Sequence, residues 1–207
     1  MKRILTVLAT MFSVVLLASA ASAQAIPTSP SSSSYSSVPA PFIGKPEVEL
    51  DGNTFRNISD NWEIQFHDDS WKGWVTDSIL RMRGETVTGP TIAVYTPRSD
   101  GRPITFDQCI PSGEAIVPIK DSDGNPLMEK TDNYGWVVYM TGATVNFVGC
   151  RQDPNTKTVV RIDYAFDFAS NQNHTYDDQV KAFNEFGLPE INYIWSTLKV
   201  DGKSVAN

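Results

Sequence analysis

The stretch Tyr134–Cys150, YGWVVYMTGATVNFVGC, constrains the fold more than any other part of this chain. Two apolar runs, Gly135–Thr141 and Thr144–Val148, flank Gly142-Ala143, and Cys150 closes the second run. Val, Tyr, Trp, Phe and Thr dominate both, and these residues suit a pleated, half-buried surface. A tight connection at Gly142 predicts a β-hairpin. RQDPNT at Arg151–Thr156 reads as a turn, after which KTVVRIDYAFDF resumes as a third strand. This meander is the predicted core.

Further strands are expected at short spacing: Asn61–Phe66, Gly73–Arg83, Thr91–Thr96 and Glu114–Lys120. In the first, Trp62, Ile64 and Phe66 alternate with Glu63 and Gln65, the period of a sheet with one wet face. HDDSWK at His67–Lys72, GETVTGP, PRSDGRP and DSDGNP supply turn chemistry between them. Many short strands with such turns predict a mainly β (α+β) fold, an antiparallel sandwich or small barrel-like sheet. The end of the chain changes period and is expected to be a helical segment. Thr175 caps it, with Asp178 completing a capping box; Val180, Phe183 and Phe186 form a stripe, and Gly187 ends it. Pro189 then opens a second short helix carrying Ile191, Ile194, Trp195 and Leu198, with a strand as the competing reading.

The first residues point to export. Met1-Lys2-Arg3 is basic, Ile4–Ala18 is apolar, and Ala21-Ser22-Ala23 is a small-x-small cleavage site. An apolar run of about 15 residues is short for a membrane span, so residues 1–23 read as a cleaved signal peptide. Residues 24–46 are rich in Ser and Pro and read as a disordered tether; residues 47–207 form one β-rich domain. No transmembrane span is expected after signal removal. The expected location is secreted, periplasmic or cell-envelope associated, in bacterial style. The two cysteines, Cys109 and Cys150, lie outside any CxxC motif and are expected to form a structural disulfide there.

Charge and motifs narrow the function classes. The net charge is −7, and the loss of Lys2 and Arg3 with the signal makes the body −9. With no run of Lys and Arg, an acidic body argues against nucleic acid as a partner. There is no GxSxG, SxxK or HExxH, and no Gly-rich phosphate loop, so no catalytic residues and no cofactor are assigned. The two histidines, His67 and His174, sit in polar turn-like segments. Asp121, Asp123, Asn125 and Asp132 match four calcium-loop positions, but Pro126 occupies the turn glycine's place, and no metal site is assigned.

Of the five tryptophans, Trp62, Trp136 and Trp195 read as core. Trp71, Trp74 and His67 are the candidate binding residues, with the two rings flanking Lys72-Gly73 suited to stacking on a sugar or a protein partner. The expected function is therefore a non-enzymatic binding protein for a protein or polysaccharide of the cell envelope. The alternatives are a secreted hydrolase whose carboxylates meet only in the fold, and a small-ligand or lipid carrier. Export has a direct check: N-terminal sequencing of the released protein is expected to begin at Gln24, and retention of Met1 would remove the export reading.

Overall fold

The computed structural model describes residues 46–85, 89–111, 116–121, 123–142, 144–166 and 175–205. The signal, the tether to residue 45 and His174 lie outside them. The described residues form two antiparallel sheets, a small extra hairpin and a long C-terminal helix. The seven-stranded sheet runs β4 (Trp71–Thr76), β5 (Ile79–Gly84), β6 (Pro90–Tyr95), β12 (Val159–Phe166), β11 (Thr144–Gln152), β10 (Tyr134–Thr141) and β9 (Met128–Lys130). The five-stranded sheet runs β1 (Val48–Asp51), β2 (Thr54–Asn57), β3 (Trp62–Gln65), β13 (Lys199–Val200) and β14 (Lys203–Ser204). The small hairpin pairs β7 (Arg98–Ser99) with β8 (Arg102–Pro103), turning through Asp100-Gly101 at positive φ. The sheets do not close into a barrel.

The predicted meander is β10-β11-β12. Its register, Trp136 opposite Gly149 and Gly149 opposite Ile162, puts one residue set toward the helix and the other away from it. The inner face carries Trp136, Val138, Val145, Phe147, Ile162 and Tyr164, packed with Phe55 and Ile64 of the other sheet. Trp62, Trp136 and Trp195 are all core residues, as their sequence context predicts. On the opposite face, Val137, Val148, Cys150 and Val159 meet a short helix, Phe106–Cys109, followed by Ile110. Cys109 and Cys150 are bonded, with Cα atoms 6.2 Å apart, which pins that helix to the sheet. A loop closed across 41 positions contributes about 4 kcal/mol by chain-entropy arithmetic. Such a bond marks an oxidising, extracytoplasmic environment.

Several local expectations are corrected. Gly73–Arg83 is not one strand but the hairpin β4-β5, turning at Asp77-Ser78 with φ of 51° and 65°. No Gly or Pro announces that turn; Asp tolerates the left-handed region through its short polar side chain. Arg151 and Gln152 extend β11 instead of opening the turn. Residues 116–120 make only isolated bridges, Pro118 to Tyr139 and Lys120 to Pro126, and the start of that expected strand falls on residues 112–115, outside the described set. Pro118 has no N–H to give a ladder.

The C-terminal helix is continuous. It runs as α-helix Tyr176–Ala182, π-helix Phe183–Gly187 and α-helix Leu188–Thr197. Thr175 caps it as expected, accepting from the Asp178 N–H. Gly187 does not end it: its φ is −66°, inside the helix. The Leu188 N–H instead reaches back five residues to the Phe183 carbonyl. That wider turn lets the chain pass Pro189, which has no N–H to donate and whose ring crowds the preceding turn. Gly187 is small for another reason. A Cβ there would lie 2.5 Å from the Tyr164 ring, so the bare backbone allows the helix to sit directly on the sheet. Among the described residues, no helix is long and apolar enough to cross a membrane.

Because Tyr164 is fully buried, its ring cannot swing away from a new methyl group. Gly187→Ala is expected to destabilise the protein by about 1–3 kcal/mol through overpacking, read as a lowered melting temperature. An unchanged melting temperature would mean that the helix does not rest on this contact.

Candidate functional site

Among the described residues, the outer face of the seven-stranded sheet is covered at one end and open at the other. The disulfide-tethered helix covers the β10-β11 end. Over β4, β5, β6 and β12 there is instead an open groove of about 610 Å³. Register builds it. Trp74 stands opposite Arg81, Arg81 opposite Ala93, and Ala93 opposite Asp163, giving one row across four strands. Lys72, Arg83, Thr91 and Ala165 form the parallel row beside it. The small side chains of Thr91, Ala93 and Ala165 make a low floor; Trp74, Arg81, Arg83 and Asp163 rise around it. On the reverse of the same strands, Met82, Ile92 and Tyr164 fill the core. Alternation thus divides bulk and smallness between the two faces.

The far wall is a fixed polar network. The Tyr95 hydroxyl donates to Asp163 Oδ2 at 2.7 Å, and Arg161 Nε donates to Oδ1 at 2.8 Å. Arg161 also donates to the Cys109 carbonyl at 3.2 Å, so the disulfide-bound helix buttresses this wall. Burial, then the neighbouring Asp163 charge, raise the Tyr95 hydroxyl well above the usual tyrosine range. It therefore remains a donor at any physiological pH.

The candidate residues separate in space. Trp74 is 39% exposed and lines the groove, whereas Trp71 is 2% exposed and belongs to the core. The expectation of two accessible rings is corrected, because residues three apart on a strand point to opposite faces. HDDSWK is only in part a turn, since Trp71 and Lys72 are already in β4. Gly73 is not turn chemistry either. A Cβ there would meet the Phe66 ring at 2.7 Å, so the glycine makes room for core packing.

His67 lies on the helix side of the sheet, away from Trp74. Its backbone N–H donates to Glu190 Oε1 at 3.0 Å, its Nδ1 is 2.8 Å from Oε2, and its ring stacks on Tyr193 at 3.8 Å. When Glu190 is ionised it only accepts, and Nδ1 is then the donor in this pair. Glu190 is 3% exposed, and it was hidden from sequence reading by its 123-residue separation from His67. The one available signal is that Glu190 and Tyr193, three apart, share a helix face. No nucleophile is hydrogen-bonded to the His67 ring among the described residues, and the pair reads as a clasp between helix and loop.

The acidic turn at Asp121 is closed on itself. Asp121 Oδ1 accepts from the N–H groups of Asp123 and Asn125, at 2.9 and 2.8 Å. Among the described residues no three His, Cys, Asp or Glu side chains gather in a metal-binding group.

Burial raises the Glu190 carboxyl above its ordinary value of 4.5, while the bonds from His67 oppose the rise. A carboxyl with a raised folded value stabilises most below 4.5, and that contribution is lost as pH climbs through the folded value. Glu190→Gln removes this titration. Denaturant unfolding across pH 4 to 8 (roughly the span over which a raised glutamate titrates) is expected to show the variant gaining on the wild type as pH rises. The reverse trend would mean that the His67 bonds outweigh burial.

Comparison with protein-family models, curated proteins and solved structures finds no match for this chain, which leaves the groove's own chemistry as the guide to function.

Proposed function

We propose that this is an exported, non-enzymatic binding protein, secreted, periplasmic or held at the cell envelope, whose groove takes a polysaccharide chain. Trp74 carries the reading. It is a large ring left 39% exposed beside a depression of small residues, with fixed polar groups around it. An amphipathic ring of this kind stacks on the apolar face of a sugar while neighbouring side chains bond its hydroxyls. The groove also falls within the roughly 300–1,000 Å³ typical of small-molecule sites.

The other readings find less support. Protein interfaces are depleted in charge at their centres, whereas this groove is framed by Arg81, Arg83 and Asp163. Glycoside hydrolysis needs two carboxyl groups astride the bond. Among the described residues Asp163 is the one carboxylate lining the groove, and both its oxygens are engaged by Tyr95 and Arg161. A carrier wants an enclosed apolar cavity, and these sheets do not close.

Two substitutions, read together, test the site. Trp74→Ala is expected to change stability by no more than about 1 kcal/mol, as at other surface positions. It should weaken binding across a panel of soluble polysaccharides by about 2 kcal/mol or more. Trp71→Ala is expected to cost about 3–5 kcal/mol of stability through lost burial and a cavity. Affinity electrophoresis and melting curves measure both. Binding that persists unchanged in Trp74→Ala would remove the groove as the site.

A further inference from the structure

We infer that β4 is a dimerisation edge: two copies of this chain pair their β4 strands antiparallel about a two-fold axis at Trp74, joining two seven-stranded sheets into one. The hairpin turn fixes which backbone groups are available. Asp77 and Ser78, both at positive φ, form a two-residue type I′ turn, so Thr76 and Ile79 are its first hydrogen-bonded pair. Bonding to β5 then recurs at Trp74 and Lys72, and the N–H and C=O groups of Trp71, Gly73 and Val75 point away from β5. Trp71 bears this out, because its N–H donates outward to the His67 carbonyl at 3.0 Å. Among the described residues, no hydrogen bond takes up the outward groups of Gly73 and Val75.

The other edges of the two sheets are short or charged. β9 is three residues long with Glu129 and Lys130 among them, β1 carries Glu49 and Asp51, and β14 is two residues long. β4 has six residues, a single charge at Lys72, and two exposed apolar side chains, Trp74 at 39% and Val75 at 37%. An edge of this kind is a template for another strand. A second copy fits it because the strand complements itself in one register. With Trp74 opposite Trp74, Gly73 and Val75 exchange their backbone bonds with Val75 and Gly73 of the second copy. The two Trp74 rings become a cross-strand aromatic pair at a non-hydrogen-bonded position, where Cα atoms lie about 4.5 Å apart. Val75 faces a glycine and Lys72 faces Thr76, so no like charges meet. Centring the pair on Gly73 would call on the Trp71 N–H, which the His67 carbonyl already holds. Centring it on Val75 would set Gly73 against Asp77 in the turn. An edge of this length buries little surface, so the dimer is expected at micromolar concentrations and not as an obligate unit. The pairing does not rest on the polysaccharide reading; where both hold, the two grooves run together across the axis.

The test is sedimentation of the exported chain over a dilution series from about 1 mM to about 1 μM. The mass is expected to be twice that of the single chain at the top of the series and to fall toward it on dilution. Val75→Lys sets a new charge in each half of the pairing, and it should raise the dissociation constant at least about tenfold while leaving the melting temperature of the diluted protein in place. Val75 does not line the groove, so loss of the dimer in this variant leaves the test of the polysaccharide reading untouched. Cysteine reads the register. Trp74→Cys should oxidise to a covalent dimer, because the paired Cα atoms fall within the roughly 4.4–6.8 Å that a disulfide spans. Thr76→Cys should not link to itself across about 14 Å, yet should link to Lys72→Cys when the two variants are mixed. A single-chain mass at every concentration would overturn the proposal, as would a dimer that Val75→Lys leaves intact. Self-linking of Thr76→Cys in preference to Trp74→Cys would overturn the two-fold at Trp74. Slow hydrogen exchange at the Gly73 and Val75 amides of the single chain would also overturn it, since another segment of the same chain would then occupy this edge.

Discussion

The direct contact between the C-terminal helix and the inner face of the seven-stranded sheet is what the rest of this molecule depends on. It is made where backbone meets ring: Gly187 of the helix against Tyr164 of the sheet, and Gly149 of the sheet against Trp195 of the helix. Phe183 fills the space between, with its ring centroid 5.0 Å from Tyr164 and 5.9 Å from Phe147. Arg151 then ties the sheet to the end of the helix. Its guanidinium is buried over the rings of Tyr134 and Trp195, at 5.1 and 5.3 Å, and it donates to the Trp195 carbonyl in the last turn. A cation at a helix C-terminus is favoured by the helix dipole, and aromatic faces offset part of its lost hydration. Burial still lowers its pKa from the usual arginine value.

Once the helix takes one face, the other must be managed separately. Seven strands expose more surface than the short helix Phe106–Cys109 covers. The disulfide holds that cover in place over Val137, Val148 and Val159, and it stops there. Beyond it the face changes character from branched apolar residues to Ala, Thr, Arg and one Trp. Among the described residues, the groove is thus the uncovered half of a two-faced sheet. Its wall is anchored to the covered half through Arg161, which spans Asp163 and the Cys109 carbonyl.

The helix and the groove are therefore linked through shared strands. Ile92 and Tyr164 press inward while Ala93 and Asp163 face outward, so each strand serves core and groove at alternate positions. Interiors pack to near-crystalline density and leave little slack for a strand to rotate. A rigid floor of this kind preserves the spacing of Trp74 and Arg81, and for the proposed ligand it would limit the ordering cost of binding.

What the sequence determined by itself was local. Alternation at Trp62–Phe66, the hairpin about Gly142, the Thr175 cap and the pairing of the only two cysteines all follow from short-range geometry or from there being a single choice. What only the tertiary structure decided is which face each residue meets and what lies across from it. Asp77-Ser78 turns without glycine or proline, and missing that turn concealed the fact that Trp71 and Trp74 diverge. Gly73 and Gly187 resemble turn and cap residues, but their small size answers to the rings of Phe66 and Tyr164, which tertiary packing presses against them. The His67–Glu190 clasp and the groove's row of Trp74, Arg81 and Asp163 depend on docking and on strand register. Propensity and spacing act over a few residues, whereas a site on a sheet is assembled by pairings between strands far apart in the chain, and nothing in the local sequence encodes those partners.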